Sequence, residues 1–220
     1  MSAVPLLPQE LFEACPVQHL QFGRLEVDLK ACQDIDQLLD FYADTQPSNS
    51  NAIPYYAIVW DAALALAGEL ARRPAELQGR RVIELGCGLG LPSIVAALSG
   101  ATVVATDFHP DCAAFLLHNA HRNNVQIEFR PLDWAAVPSD WEEFDLVLAS
   151  DVIYHAPALP ALVAAASRLC HTDGRILFAD PGRDRLQAAV DAFAARGYRG
   201  DFNAIDNVFV FDLQYQPDPV

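Results

Sequence analysis

From Arg81 to Arg196, short apolar runs alternate with stretches of helical periodicity, and few folds accommodate that order. Buried strands interleaved with helices imply a parallel sheet covered on both faces. The spacing predicts strands over 81–85, 101–106, 125–130, 144–149 and 175–179, and helices over 91–99, 110–123, 158–171 and 184–196. Pro110 suits a first helical turn, Gly100 and Gly197 suit helix ends, and Asp173-Gly174 reads as a turn. Two last strands, 198–204 and 208–215, flank Asp206-Asn207 with no helix between them. They should pair antiparallel as an edge hairpin. The expected class is therefore α/β: seven strands, mostly parallel, with a C-terminal antiparallel hairpin and helices on both faces.

Upstream the pattern differs. Leu20, Phe22, Leu25, Val27 and Leu29 mostly alternate with polar residues, as a strand pair or extended arm would. A short helix is expected over 32–42, a polar loop over 43–54, and a helix over 57–72 that ends before Pro74. This divides the chain into an N-terminal arm and linker, 1–53, and a main domain, 54–220.

Hydrophobic residues make up 52% of the chain, enough for a large core. The apolar run Ile58 to Leu66 is broken by Asp61 and is too short to span a bilayer. Met1 to Glu10 lacks the basic start and apolar run of a secretory leader. A net charge of −15 repels a phosphate backbone, which argues against nucleic acid as a partner. The same charge suits a cationic substrate, or does no more than keep the chain soluble. Cys15, Cys32, Cys87, Cys112 and Cys170 are scattered, without metal-type spacing. They read as reduced thiols of a cytoplasmic protein rather than a disulfide frame. His118 and His121 share a helix face but lack a third ligand, so no metal site is expected.

The segment Glu84-Leu85-Gly86-Cys87-Gly88-Leu89-Gly90 falls where the first core strand turns into a helix. Glycines at alternate positions let backbone approach a ligand, and the free N–H groups of the next helix point at it. Asp107 ends the following strand, where a carboxylate can accept hydrogen bonds from both hydroxyls of a ribose. A dinucleotide site wants G-x-G-x-x-G, but its third glycine would fall on Leu91 or Ser93. Glu84 would also repel a pyrophosphate. A zwitterionic amino-acid tail, whose ammonium can pair with Glu84, is the better guest. After the third strand, Trp134 is suited to stack on an adenine ring and Asp133 to bond its amine. Trp134 could equally be a packing residue at a helix start.

Ser150-Asp151-Val152-Ile153-Tyr154 leaves the fourth strand. If the first core strand lies between the second and the fourth, this turn faces the glycine loop across the crevice where strand order reverses. Asp151 and Tyr154 would then stand beside the reactive end of the ligand. The residues alone leave a second role open, with Asp151 capping the next helix and Tyr154 packing on it.

On these segments, together with Ile58-Val59-Trp60-Asp61-Ala62-Ala63 and Ile94 to Gly100, the sequence resembles the seven-stranded protein-lysine methyltransferases over roughly 54–215. Those enzymes modify chaperones, elongation factors and the electron-transfer flavoprotein. The resemblance implies a Rossmann-like class I methyltransferase fold, S-adenosyl-L-methionine as cofactor, and a lysine-bearing protein as substrate. It places Gly86, Cys87, Gly88 and Gly90 around the cofactor, with Glu84 and Trp60 near its methionine end. Asp107 falls at the ribose, Asp133 and Trp134 fall at the adenine, and Phe108 and Ser150 are further cofactor-binding residues. Asp151 and Tyr154 are the implied catalytic pair. Asp180-Pro181-Gly182-Arg183 resembles the members acting on the flavoprotein, whereas the Trp60 segment resembles those acting on chaperones. Two other functions share this cofactor site. A small-molecule N-methyltransferase would have a closed lid over Asp151, and an inactive binding domain would hold cofactor without transfer.

Overall fold

The computed structural model describes residues 7–33, 35–45 and 54–217. Near the N-terminus, β1 (Val17–Phe22) and β2 (Leu25–Lys30) pair antiparallel as the hairpin that the alternating stretch predicts. Helix α1 (Gln9–Ala14) precedes them and α2 (Asp36–Thr45) follows. The second helix begins later than the expected 32–42, because Cys32 N–H donates to the Ala57 carbonyl at 2.8 Å and stays outside it. Most of the expected polar loop, 46–53, lies outside the described residues.

The thiol expectation needs correction. Cys15 and Cys32 form a disulfide, with Cα atoms 4.8 Å apart. Their separation of 17 residues hides the proximity. The hairpin creates it, as Ala31 N–H reaches back to the Pro16 carbonyl at 3.1 Å. Cys87, Cys112 and Cys170 are free and buried. Lys30, the only lysine in the chain, is buried beside this bridge. Its Nζ donates to the carbonyls of Cys15 (2.6 Å) and Glu13 (3.2 Å) and stands 5.1 Å over the Phe12 ring.

The main sheet contains β3 (Arg81–Leu85), β4 (Thr102–Asp107), β5 (Ile127–Pro131), β6 (Phe144–Ser150), β7 (Cys170–Asp180), β8 (Tyr198–Ile205) and β9 (Val208–Tyr215). Their order is β5-β4-β3-β6-β7-β9-β8. The first five in that order run parallel, and β9 runs antiparallel to both β7 and β8. Strand residues alternate between two cores, as the period of two requires. Val82, Val103, Leu146 and Leu148 face α3 (Asp61–Arg72), α5 (Leu91–Leu98), α6 (Cys112–Arg122) and the N-terminal hairpin. Ile83, Leu85, Val147 and Phe178 face α7 (Leu159–Leu169) and α8 (Leu186–Ala194). No helix among the described residues is long and apolar enough to cross a membrane.

Two elements differ from expectation. Asp173-Gly174 is no turn between helix and strand, because β7 already begins at Cys170. Cys170 pairs with Phe144 and Arg175 with Leu146, so His171 to Gly174 bulge out opposite Asp145. A Cβ on Gly174 would stand 2.9 Å from the Asp145 carbonyl, which reserves the position for glycine. The helix expected from 57 begins at Asp61, after a 3-10 turn over Tyr55–Ala57. Ile58 and Trp60 are extended, and Ala62 N–H, one of the free donors of the first turn, is taken by Asp151 Oδ2 at 3.1 Å.

An ion cluster fastens this helical face to the antiparallel edge. Asp212 on β9 accepts from Arg73, just past α3, at 2.6 Å and from Arg175 Nε at 2.8 Å. Arg175 also reaches Glu76 in α4 (Pro74–Leu77) at 2.6 Å. Burial pushes the Asp212 carboxyl up, but the two guanidinium groups more than offset it and hold it below the usual range. A lowered folded pKa contributes stability above the unfolded value of ~3.9 that is lost as pH falls through the folded one. Asp212→Asn should therefore cost about 2 kcal/mol near neutrality. It should also flatten the acid limb of stability against pH, both read by urea unfolding between pH 2 and 7.

Candidate active site

Strand β3 lies between β4 and β6, so strand order reverses at its carboxyl end, where open α/β sheets bind ligands. Gly86, Gly88 and Gly90 carry φ of +71°, +49° and +81°, backbone that side chains rarely adopt. A Cβ on Gly86 would stand 2.7 Å from Val152 Cγ1, and one on Gly88 would stand 3.2 Å from the Tyr56 carbonyl. One on Gly90 would overlap Leu116. The glycine loop and the turn after β6 are thus in contact, as the sequence predicts. The Trp134 ring closes over Gly86, 3.4 Å from its Cβ position.

Glu84, fully enclosed, turns its carboxylate onto the first turn of α5. Oε2 accepts from Ser93 N (3.0 Å) and Ser93 Oγ (2.5 Å), while Oε1 has no hydrogen-bond partner among the described residues. Burial raises its pKa to about 8 despite the Ser93 bonds, and Asp107 adds to the rise. Asp107 ends β4, with Oδ2 accepting from Gly88 N (3.0 Å) and Oδ1 from His109 N (2.9 Å). This carboxylate therefore shapes both loops. Cys87 N–H is held by the Thr106 carbonyl at 2.9 Å. Phe108, 47% exposed, stands free beside Asp107. Asp133 caps the turn that carries Trp134, accepting from Ala135 N at 2.9 Å.

Behind Asp107 lies a polar cluster with no local sequence signal. Asp111 N–H donates to His109 Nδ1 at 3.2 Å, and the Asp111 carboxylate takes Tyr42 Oη and, at 3.1 Å, Leu7 N–H. Tyr42 Oη also meets Tyr56 Oη at 3.2 Å, and the Tyr56 and His109 rings lie tilted by 34° with centroids 4.4 Å apart. The N-terminal arm thereby reaches the loop after β4. Burial lowers the His109 pKa against the pull of Asp111 and Asp107. Nδ1 accepts from Asp111 N–H, and buried Nε2 has no hydrogen-bond partner among the described residues.

Nearly buried Ser150 ends β6, and Asp151 follows with φ +58°, a left-handed position that Asp tolerates better than most residues. Its N–H donates to the Ala179 carbonyl at 3.0 Å. Oδ2 caps α3 through Ala62, and Oδ1 pairs with Arg183 at 2.5 Å. So Asp151 caps a helix 89 residues upstream rather than the one that follows. Burial pushes its carboxyl above the usual value, and Arg183 and the Ala62 N–H only partly reverse this. Tyr154, 52% exposed, packs edge-on to Tyr55 at 5.6 Å, and Tyr55 packs on Trp60 at 6.1 Å. Trp60 Nε1 donates to the Tyr55 carbonyl at 2.8 Å. Partial burial, then Asp107 and Tyr55, raise the Tyr154 pKa, so it is a neutral phenol at the cleft. Tyr55 and Arg183 extend the set named from sequence. Arg183 stood in a visible motif, and Tyr55 carried no signal beyond its nearness to Trp60.

The chain matches the model of a family described as lysine methyltransferase over residues 46–191. It is 38% identical over 128 residues to protein N-lysine methyltransferase METTL21A of Danio rerio, covering 55% of this chain and 58% of that one. It is 35% identical over 139 residues to the electron transfer flavoprotein beta subunit lysine methyltransferase of Danio rerio, covering 61% and 52%. The chain thus spans little more than half the length of these relatives. Among solved structures, the T. Thermophilus 16S rRNA N2 G1207 methyltransferase in complex with AdoMet and guanosine aligns with a TM-score of 0.67, at 16% identity, over 91% of this chain and 50% of that one. That likeness is one of fold.

The contact between the two loops has a measurable cost. Gly86→Ala should destabilise by about 1–3 kcal/mol, from overpacking against Val152 and from the left-handed φ. Val152→Ala in the same chain should return part of that. Strictly additive costs in a double-mutant cycle of chemical unfolding would show that the loops do not touch.

Proposed function

This chain belongs to the lysine methyltransferase family, and we propose that it transfers the methyl group of S-adenosyl-L-methionine to a lysine side chain of another protein. The observation that carries this reading is the contact of the glycine loop with the Asp151–Tyr154 turn at the reversal point of the sheet. Tyr55 and Tyr154, 41% and 52% exposed, are not sealed over by any other described residue, which favours a protein side chain over a small molecule sealed beneath a lid.

The residues fit the cofactor. Side chains are excluded at all three glycines, which leaves backbone to hold the amino-acid tail. Glu84 Oε1 is a buried polar atom without a hydrogen-bond partner among the described residues, at the head of the same loop. In this reading Gly86, Cys87, Gly88 and Gly90 hold the methionine part, with Trp60 and Ser150 near the reacting end. Asp107 and Phe108 hold the ribose, and Asp133 and Trp134 the adenine. When bound, S-adenosyl-L-methionine supplies an electrophilic methyl on a sulfonium.

The chain's own residues supply alignment. An in-line attack needs the lysine nitrogen held on the methyl axis, and such positioning is worth up to about 7–11 kcal/mol. The rings of Tyr55, Trp60 and Tyr154 pack against the lysine methylenes, and Tyr154 offers one hydrogen bond. Asp151 attracts the ammonium and passes its proton to water. The free lysine pKa of ~10.4 must fall for the nitrogen to attack, and burial in the cleft drives that fall.

The test is to incubate the protein with labelled S-adenosyl-L-methionine and a lysate of its own source, and to identify the modified residue. Label on a lysine Nζ supports the reading, and label confined to small molecules overturns it. Asp107→Ala should abolish cofactor binding in calorimetry. Asp151→Ala should bind cofactor within about twofold of the parent yet lose at least ~100-fold in transfer, the scale of general acid–base roles. Parental transfer by Asp151→Ala would remove the role given to that carboxylate.

A further inference from the structure

Arg183 has no part in the transfer step above, yet it is held as firmly as any side chain in the site. Asp180, at the end of β7 and fully buried, accepts from Gly182 N (2.9 Å), Arg183 N (2.8 Å) and the Arg183 guanidinium (2.7 Å). Gly182 makes this return possible, with φ +82° and a Cβ position only 2.9 Å from the Phe209 ring. The guanidinium is thus fixed from behind by Asp180 and presented in front to Asp151 Oδ1. Nη1 donates to Asp180, and Nη2 stands 2.5 Å from Asp151 Oδ1 as an ion pair rather than an aligned hydrogen bond, so one planar guanidinium serves both carboxylates.

We propose that Arg183 is a positioning residue for methyl transfer, one that holds Asp151 ionised against α3 and screens its charge from the incoming lysine. The inference rests on the transfer reading above and resolves a conflict within it. A bare carboxylate beside the amine stabilises the ammonium, which has no lone pair and cannot attack. A carboxylate without a cation in this enclosed position would itself take up a proton and lose its attraction for lysine. With Arg183 in place, Asp151, Arg183 and Asp180 together carry one net negative charge instead of two. The lysine is still drawn in, and its proton leaves at lower pH. Among the described residues, Asp180 is the other charged group acting on Asp151; farther along the same turns, Asp61 precedes Ala62, Arg185 donates to the Tyr154 carbonyl, and Asp107 acts on Tyr154. All of these are the same in the variants below.

The test compares the parent with R183Q and R183K. Carbon-detected NMR follows the Asp151 carboxyl through a pH titration of protein without added ligand, with the signal assigned by its loss in D151N. The midpoint should rise by about 1–3 units in R183Q, the size of the effect of one adjacent opposite charge. R183K keeps the charge without the fork, so its midpoint should lie between the two. Should R183Q fail to fold, R183K alone decides, and a midpoint equal to the parent's ends the proposal. In the lysate assay, the pH at which transfer reaches half its maximum should move up in R183Q and partly return in R183K. Calorimetric affinity for S-adenosyl-L-methionine should stay within about twofold of the parent, since the pair lies outside the cofactor-holding set. An unmoved Asp151 midpoint overturns the proposal, as does a moved midpoint with an unmoved rate profile. If no lysate protein is labelled by any of the three, the transfer reading has failed, and the titration still decides whether Arg183 holds Asp151.

Discussion

The carboxylate of Asp151 joins segments that are distant in sequence. Oδ2 takes an amide from the first turn of α3, Oδ1 meets the guanidinium beyond β7, and the backbone N–H is bonded to β7 itself. The start of α3, the turn after β6 and the Asp180–Arg183 loop are therefore positioned by one buried group. A buried charge is tolerated only when paired and hydrogen-bonded, and here a helix terminus and a cation share the task. The left-handed backbone at Asp151 belongs to the same arrangement. It turns the chain sharply enough for Val152 to press on Gly86 while the carboxylate points back at α3.

Asp107 is the counterpart on the other side of the reversal point. It bonds the glycine loop and the His109 amide, and His109 leads through Asp111 to Tyr42 and Leu7. The N-terminal arm is thereby wired into the wall of the cleft. Val27 and Leu29 share a core with α3, α5 and α6, so arm and main domain bury apolar surface together. The disulfide between Cys15 and Cys32 closes the hairpin on the side where Cys32 N–H meets Ala57, next to Tyr56 and its contact with Gly88.

Much of this was legible in the residues. Strands that are buried on both faces leave unbroken apolar runs, so β3 and β6 fall where expected to within a residue. The last hairpin was marked by Asp206-Asn207, and Asp206 takes the left-handed φ of +52° such a turn requires. What escaped depends on long-range partners. The start of α3 is set by a cap 89 residues away, which no local pattern encodes. The Tyr42–Asp111 bond spans 69 residues. Asp173-Gly174 has the chemistry of a turn, and the same chemistry serves a bulge; only the pairing of β7 with β6 distinguishes them. In the cleft, the glycines, Asp107 and Asp151 are legible because they stand at strand ends. Arg183 and Tyr55 reach Asp151 and Tyr154 through side chains that the fold brings round from neighbouring turns.

The burial of Lys30 bears on how such a protein behaves in its own company. On the transfer reading proposed above, the protein would meet its own surface more often than any other in a concentrated preparation. This chain carries a single lysine, and that one is folded inward, its nitrogen saturated by two carbonyls and an aromatic face. While folded, it offers a neighbouring copy no ε-amine to alkylate, and amine-directed dyes or crosslinkers should likewise find little purchase on it beyond the chain terminus.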